Sequence, residues 1–131
     1  MILLDTQVLA WLVRRPQRLS PAARRTIERE GKKAGLAVAS ATLFELARMA
    51  AEGKITTVRP PAEWLKGLVA ESAVTVCELT TDIAAVAAYL PPTFPSDPFD
   101  RIIAATAIVE RLALVTSDTR IQRSRVVHTI W

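Results

Sequence analysis

Two unbroken apolar runs indicate the fold class: MILLD at residues 1–5 and LALVT at residues 112–116. Such runs are typical of central strands, which are buried on both faces of a parallel sheet. Three further β-like runs lie at 35–39, 74–79 and 125–130. We therefore predict a parallel sheet of about five strands, with the first and fourth strands inside it.

Segments with a helical period separate these runs and predict that helices cover the sheet. The predicted helices span about 6–14, 20–30, 41–52, 61–71, 81–90 and 97–111. Strands that alternate with helices are typical of βαβ units. A chain of 131 residues has the size of one domain. We predict a single α/β domain over residues 1–131.

Composition excludes several classes of protein. Half of the residues are hydrophobic and 23% are charged, which is unlike a disordered chain. The longest apolar stretches are far below the roughly 20 residues that span a bilayer. Cys77 is the only cysteine, so no internal disulfide can form. No signal peptide is visible, and we expect a cytoplasmic protein without a membrane segment.

The charge distribution suits a polyanionic substrate. The chain has 17 Lys and Arg against 13 Asp and Glu, a formal net charge of +4. Several of the acids are expected in one pocket, which leaves the rest of the surface more basic than the net charge indicates. An acidic pocket in a basic surface is typical of proteins that hold phosphates around a metal centre. Charge alone also fits an ordinary solvated surface.

Four carboxylates are candidates for a shared metal site. Asp5 and Asp118 follow the first and fourth predicted strands, and ligands of open parallel sheets bind beyond such strand ends. Glu45 lies in a largely apolar helix, and Asp100 opens another. Buried carboxylates are costly unless a cation meets them. All-oxygen ligands favour Mg²⁺ or Mn²⁺. The sequence leaves open whether Asp100 reaches the same edge of the sheet.

Each acid also has a purely structural interpretation. Thr42-x-x-Glu45 matches a capping box, and Asp97-x-x-Asp100 matches a similar one. Asp97 before a proline is a strong N-cap signal, and a cap is its preferred role. Asp5 fits the cap of the first helix, and Asp118 fits a turn residue or the cap of a short helix.

The same residues resemble the PIN-domain family, specifically the toxin ribonucleases of bacterial and archaeal VapBC toxin–antitoxin systems. The segments that carry the resemblance are LLDT at 3–6, VLAWL at 8–12, SATLFELA at 40–47, DPFDRIIAATA at 97–107 and LVTSD at 114–118. The match runs from end to end with compatible spacing. It implies a three-layer α/β/α sandwich around a parallel sheet, usually as a homodimer.

The resemblance also implies roles for particular residues and partners. The metal-binding and catalytic acids would be Asp5, Glu45, Asp100 and Asp118. The residues that support them, directly or through water, would be Thr6, Asp97 and Thr116. The partner would be a small VapB-like antitoxin whose tail covers the active site. Operator DNA would be bound only through that antitoxin.

The leading hypothesis is therefore a toxin that acts as an Mg²⁺- or Mn²⁺-dependent endoribonuclease. A metal-activated water would attack the phosphorus and leave a 3′-hydroxyl and a 5′-phosphate. Arg101 would either contact phosphate or form an outward-facing salt bridge. The alternative is a catalytically inactive PIN-like module that binds RNA or protein. A receiver-like phosphoacceptor ranks low because the required Lys and central Asp are missing.

Overall fold

The first strand lies at the centre of the sheet in the computed structural model, which describes residues 1–131. The strands are β1 (Ile2–Leu4), β2 (Leu36–Ala39), β3 (Val74–Cys77), β4 (Ala113–Val115) and β5 (Thr129–Ile130). Their order is β3-β2-β1-β4-β5, and every pair is parallel. The prediction of a five-stranded parallel sheet with the first and fourth strands inside it is confirmed.

Seven α-helices connect the strands. They are α1 (Thr6–Arg14), α2 (Pro21–Lys33), α3 (Ser40–Ala51), α4 (Pro61–Ser72), α5 (Thr81–Ala88), α6 (Pro98–Val109) and α7 (Thr119–Ser124). A 3₁₀ turn at Pro16–Arg18 follows α1. All six predicted helices are present. The six-residue helix α7 was predicted only as one of two possibilities, in which Asp118 is either a turn residue or the cap of a short helix. A segment so short shows no helical periodicity.

The helices cover both faces of the sheet. Leu3 and Leu4 are fully buried but belong to different hydrophobic clusters, since successive strand side chains point to opposite faces. The cluster around Leu4 contains side chains of α1, α2, α3 and α4. The cluster around Leu3 contains side chains of α6 and α7. The expected three-layer α/β/α arrangement follows from this division.

Several predicted boundaries differ from the structure by a few residues, and the ends of α2 and β5 are two examples. α2 continues past Gly31 to Lys33, and the chain turns at Gly35, where φ is +99°. Glycine adopts this left-handed conformation without strain, so Gly35 and not Gly31 ends the helical segment. The last strand is only Thr129–Ile130: Arg125, with a φ of 55°, is the C-cap of α7, and residues 126–128 form no strand.

The strand order creates the edge at which a site can form. β1 pairs with β2 on one side and with β4 on the other, so the direction of winding reverses between β1 and β4. Leu4 is opposite Val115, which brings Asp5 beside Thr116 at the carboxyl ends of the strands. Ligands bind at such a switch point. The order also differs from the 2-1-3-4-5 order of flavodoxin-like folds, so the receiver-like reading is wrong.

None of the helices combines the length and the apolar character that a bilayer crossing requires.

Candidate active site

Asp5 is held by hydrogen bonds to both of its carboxylate oxygens. Oδ1 accepts from the backbone N–H of Thr6 at 2.8 Å, and Oδ2 accepts from the Thr116 hydroxyl at 2.7 Å. The backbone N–H of Asp5 donates to the Val115 carbonyl at 3.0 Å. Burial raises the pKa of Asp5, and these hydrogen bonds oppose the rise. The side chain is therefore fixed between the ends of β1 and β4.

Glu45 reaches the same edge from α3. Its Oε1 accepts from the Thr6 hydroxyl at 2.7 Å, and that hydroxyl lies 3.0 Å from the buried hydroxyl of Thr42. Burial raises the pKa of Glu45, and the charges of Asp5 and Asp97 add to the effect. The capping-box interpretation is wrong here. Helix α3 begins at Ser40, and its N-cap residue is Ala39, which has no side chain that could cap it, so Thr42 is already inside the helix.

Asp100 lies in the first turn of α6, which Asp97 caps. Oδ1 of Asp97 accepts from the backbone N–H groups of Phe99 at 2.9 Å and Asp100 at 3.0 Å, as its predicted cap role requires. Burial raises the pKa of Asp100 to about 7, together with the charges of Asp5, Asp97, Glu45 and Asp118. Asp100 therefore reaches the edge that holds the other acids.

Asp118 is the N-cap of α7 and forms an ion pair with Arg120. Its Oδ2 accepts from Nη2 of Arg120 at 2.8 Å, and its Oδ1 accepts from Nε at 3.2 Å. The same Nη2 lies 3.9 Å from Oδ2 of Asp100. The hydrogen bond from Arg120 lowers the pKa of Asp118. Arg120 thus neutralises one side of the acidic cluster, a role that no sequence pattern indicated.

The four acids share a small region but do not form a ready-made ligand cage. No group of three His, Cys, Asp or Glu side chains is arranged to hold a metal ion. The donor set nevertheless fits a hard divalent cation, because every candidate ligand atom is a carboxylate oxygen. Burial, and after it the negative charges of the neighbouring acids, raises the pKa of Asp100, and a bound cation would relieve both effects.

The supporting residues differ in their roles. Thr6 and Thr116 are buried and hydrogen-bond to Glu45 and Asp5 as expected. Thr116 also accepts from the backbone N–H of Asp118 at 3.1 Å, so one hydroxyl joins two of the acids. Asp97 caps α6 and acts on the cluster through its charge.

Arg101 does not belong to the site. Its Nε donates to the Ala87 carbonyl at 3.0 Å, and its Nη2 donates to the Leu90 carbonyl at 2.9 Å. Both interpretations of this residue, a phosphate contact and an outward-facing salt bridge, are wrong. The guanidinium instead satisfies the carbonyls at the C-terminal end of α5.

An aromatic pair borders the acids and was not predicted. The rings of Phe44 and Phe99 stack with their centroids 5.4 Å apart and their planes at 29°. The guanidinium carbon of Arg48 lies 5.6 Å from the centroid of the Phe99 ring. The sequence contained one signal for this pair, since Phe44 directly precedes Glu45 and Phe99 directly precedes Asp100.

Comparison with known proteins identifies relatives of the chain. Residues 2–126 match the PIN domain family. The chain is 44% identical over 124 residues to Ribonuclease VapC22 of Mycobacterium tuberculosis. The aligned region covers 95% of this chain and 92% of that protein.

Solved toxin–antitoxin complexes share the fold. VapBC2 of Rickettsia felis, bound to a promoter DNA fragment, superposes with a TM-score of 0.72 at 18% identity over 98% of this chain and 97% of that one. DNA-bound VapBC of Salmonella typhimurium gives a TM-score of 0.71 at 19% identity over the same shares of the two chains, 98% and 97%. At these identities the likeness shows the fold alone.

Proposed function

This chain belongs to the PIN-domain family and to its VapC ribonucleases, toxins of type II toxin–antitoxin systems, and on that premise we propose that Asp5, Glu45, Asp100 and Asp118 form its catalytic centre. One observation carries the assignment. Four segments far apart in sequence bring carboxylates to one sheet edge, and their combined charge with burial raises the pKa of Asp100 to about 7. The enzyme is then a metal-dependent endoribonuclease.

The proposed ion is Mg²⁺, or Mn²⁺ in its place, because the donors are carboxylate oxygens. A divalent ion in such a site lowers the pKa of a water and stabilises charge on a phosphate. Asp5, which follows β1, and Glu45 of α3 would hold the ion together with Asp100 of α6 and Asp118, the N-cap of α7. The expected products carry a 3′-hydroxyl and a 5′-phosphate.

Two threonines prepare the acids for this task. The Thr116 hydroxyl donates to Asp5 and the Thr6 hydroxyl donates to Glu45, so each carboxylate is oriented and its charged form is stabilised. Burial opposes that charged form in both residues. The hydroxyls therefore keep two buried carboxylates available as ligands.

The proposed partners follow from the family and from the charge of the chain. The solved relatives are complexes of a toxin with its antitoxin, two of them on DNA. We expect a VapB-like antitoxin to cover this site and to make the contacts with operator DNA, and we expect the toxin to form a homodimer. The excess of 17 basic over 13 acidic residues suits RNA as the substrate. Such a substrate and partner place the activity in the cytoplasm.

The test compares the Asp5→Asn variant with the wild type on RNA. The wild type should cleave with Mg²⁺ or Mn²⁺ and stop in EDTA, and Asp5→Asn should lose roughly 100-fold or more of the activity. Asp82→Asn is a matched control, since Asp82 is an exposed acid in the first turn of α5. Metal-dependent cleavage by a correctly folded Asp5→Asn protein would show that the site is misassigned.

The second candidate is an inactive module that would bind RNA through its excess of basic residues alone. Calorimetric titration with Mn²⁺ separates the two functions. A nuclease should bind the ion in the wild type and lose that binding in Asp5→Asn, whereas an inactive module should show no binding that depends on the acids.

A further inference from the structure

The stacked pair Phe44 and Phe99 lies at the rim of the acidic cluster. Each ring belongs to the residue that precedes a proposed metal ligand, Glu45 in α3 and Asp100 in α6. The two helices are thus joined, next to the reactive centre, by an aromatic contact with centroids 5.4 Å apart. Arg48, which lies over the Phe99 ring, is also close enough to Glu45 for its charge to lower the pKa of that acid.

The exposure of Phe44 is unusual for a purely structural side chain. The residue is 56% exposed, although it belongs to a helix whose inner face packs on the sheet. Phe99 is only partly exposed and supports one face of the Phe44 ring. Apolar surface left in water forgoes about 25 cal/mol per Å² of burial. Phe44 therefore presents an exposed aromatic ring that is held in place by its contact with Phe99.

A cation accompanies the rings. Arg48 lies one turn after Phe44 in α3, and its guanidinium carbon is 5.6 Å from the Phe99 centroid. Nε of Arg48 pairs with Oε1 of Glu52 at 3.4 Å, which orients the side chain along the surface. Aromatic faces beside an exposed guanidinium are the combination by which proteins bind single-stranded nucleic acid, through base stacking and phosphate contact.

We propose that Phe44 and Phe99 form a stacking platform for one unpaired base next to the scissile phosphate, and that Arg48 binds a neighbouring phosphate. This inference rests on the proposed function, since it assumes that RNA occupies the acidic centre. It adds a substrate requirement. A base can stack on Phe44 only when it is unpaired, so the platform selects single-stranded or looped RNA over duplex RNA.

The surroundings favour RNA over a protein as the occupant. Each ring belongs to the residue directly before a proposed metal ligand, and the charged neighbour of the rings is a cation, which suits a phosphate-bearing occupant. A protein partner or a second copy of this chain could also cover a phenyl ring. If a protein covers the ring, substitution of Phe44 should change the association state of the chain and leave base stacking unchanged. The same variants therefore distinguish a protein occupant from RNA.

The test uses RNA oligonucleotides with 2-aminopurine at successive positions around a mapped cleavage site. Stacking on an aromatic ring quenches the fluorescence of this base. Binding is measured in EDTA, where the RNA stays intact, and cleavage is measured separately in Mg²⁺. The wild type should quench one position strongly. Phe44→Leu keeps an apolar side chain of similar size but has no aromatic face, so it should lose the quenching and bind roughly 5- to 100-fold more weakly.

Two further variants act as controls. Phe44→Trp should restore the quenching because it restores an aromatic face. Tyr89→Leu should behave as the wild type, since Tyr89 is 89% exposed at the end of α5 and stacks on no other ring. Circular dichroism and thermal unfolding check that every variant is folded.

The outcomes separate the platform from the catalytic proposal. Unchanged quenching in a folded Phe44→Leu protein overturns the platform, even when Mg²⁺-dependent cleavage is intact. If Phe44→Leu changes the mass of the protein in light scattering but leaves the quenching unchanged, Phe44 forms a protein contact. That result also overturns the platform. Quenching that depends on Phe44 in a protein without cleavage activity supports the platform and refutes the nuclease.

Discussion

Asp100 carries the clearest sign that charge is concentrated at one edge of the sheet. Its pKa is raised to about 7, first by burial and then by four neighbouring acids, while Asp118 is stabilised as an anion by Arg120. Two acids of the same cluster therefore differ in charge state near neutral pH. Asp100 is the member whose proton must leave when a cation is bound.

Replacement of Asp100 by Asn should stabilise the metal-free protein in a pH-dependent way. Because the folded pKa of about 7 exceeds the ordinary value of 3.8, the folded chain retains a proton that the unfolded chain has lost. The contribution of Asp100 to the free energy of unfolding therefore falls as the pH rises from about 4 to 7 and stays low above that. Asp100→Asn lacks this loss.

Urea unfolding in EDTA measures the difference. We expect the free energy of unfolding of Asp100→Asn to exceed that of the wild type by on the order of 1–3 kcal/mol at pH 8 and to approach it near pH 4. A difference that is the same at both pH values would contradict a raised pKa of Asp100 in the folded protein.

Thr6 provides a second test at the level of single atoms. Thr6→Val keeps the shape of the side chain but removes the hydroxyl that donates to Glu45. We expect Mn²⁺ to bind roughly 10- to 100-fold more weakly by calorimetry, as for other residues that orient a metal ligand. Thr106→Val is the matched control, because the buried Thr106 hydroxyl donates only to the Ile102 carbonyl of its own helix. Equal effects of the two substitutions would mean that Thr6 acts through packing.

At the level of elements, the α5–α6 connection depends on Arg101. The guanidinium donates to the carbonyl of Ala87 in the last turn of α5, where carbonyls lack helical partners, and to the carbonyl of Leu90 just after the helix. α6 is thereby tied to α5 at the turn that carries Asp100. The element that supplies an acid to the site is thus positioned by an arginine that never touches it.

Arg101→Ala should lower stability without weakening the intrinsic affinity for RNA. The loss of charge-assisted hydrogen bonds should reduce the free energy of unfolding by about 1–3 kcal/mol in urea titrations. Arg25→Ala, at an exposed position in the middle of α2, should change it by less than about 0.5 kcal/mol. RNA affinity that falls while stability is retained would return Arg101 to a phosphate-binding role.

Local signals explain which elements and residues could be predicted. The Asp97 cap was predictable because its partners are the next residues in the chain. The Thr42 box failed because β2 runs directly into α3 without a loop, so the helix begins earlier than the pattern suggests. Arg120 and the stacked phenylalanines were missed because their partners lie in other helices or depend on side-chain placement.

At the level of the whole molecule, the strand order assembles the site. β1 lies between β2 and β4, so the acids that follow β1 and β4 become neighbours although 111 positions separate Asp5 from its partner Thr116. The sequence pattern predicted a parallel sheet and the two strand ends that Asp5 and Asp118 follow. The pattern did not predict that Asp100 would lie beside Asp5 and Asp118. The position of Asp100 depends on how α6 packs against the face of the sheet that carries Leu3.

The central position of β1 has a consequence for synthesis on the ribosome. The strand is made first, yet one of its two neighbours, β4, emerges more than a hundred residues later. At roughly 5–20 residues per second, that interval lasts on the order of 5–20 s. Throughout it, Asp5 has neither Thr116 nor Asp118 beside it. Until β4 has emerged, a growing chain therefore lacks an assembled form of the proposed catalytic centre, although it is close to messenger RNA.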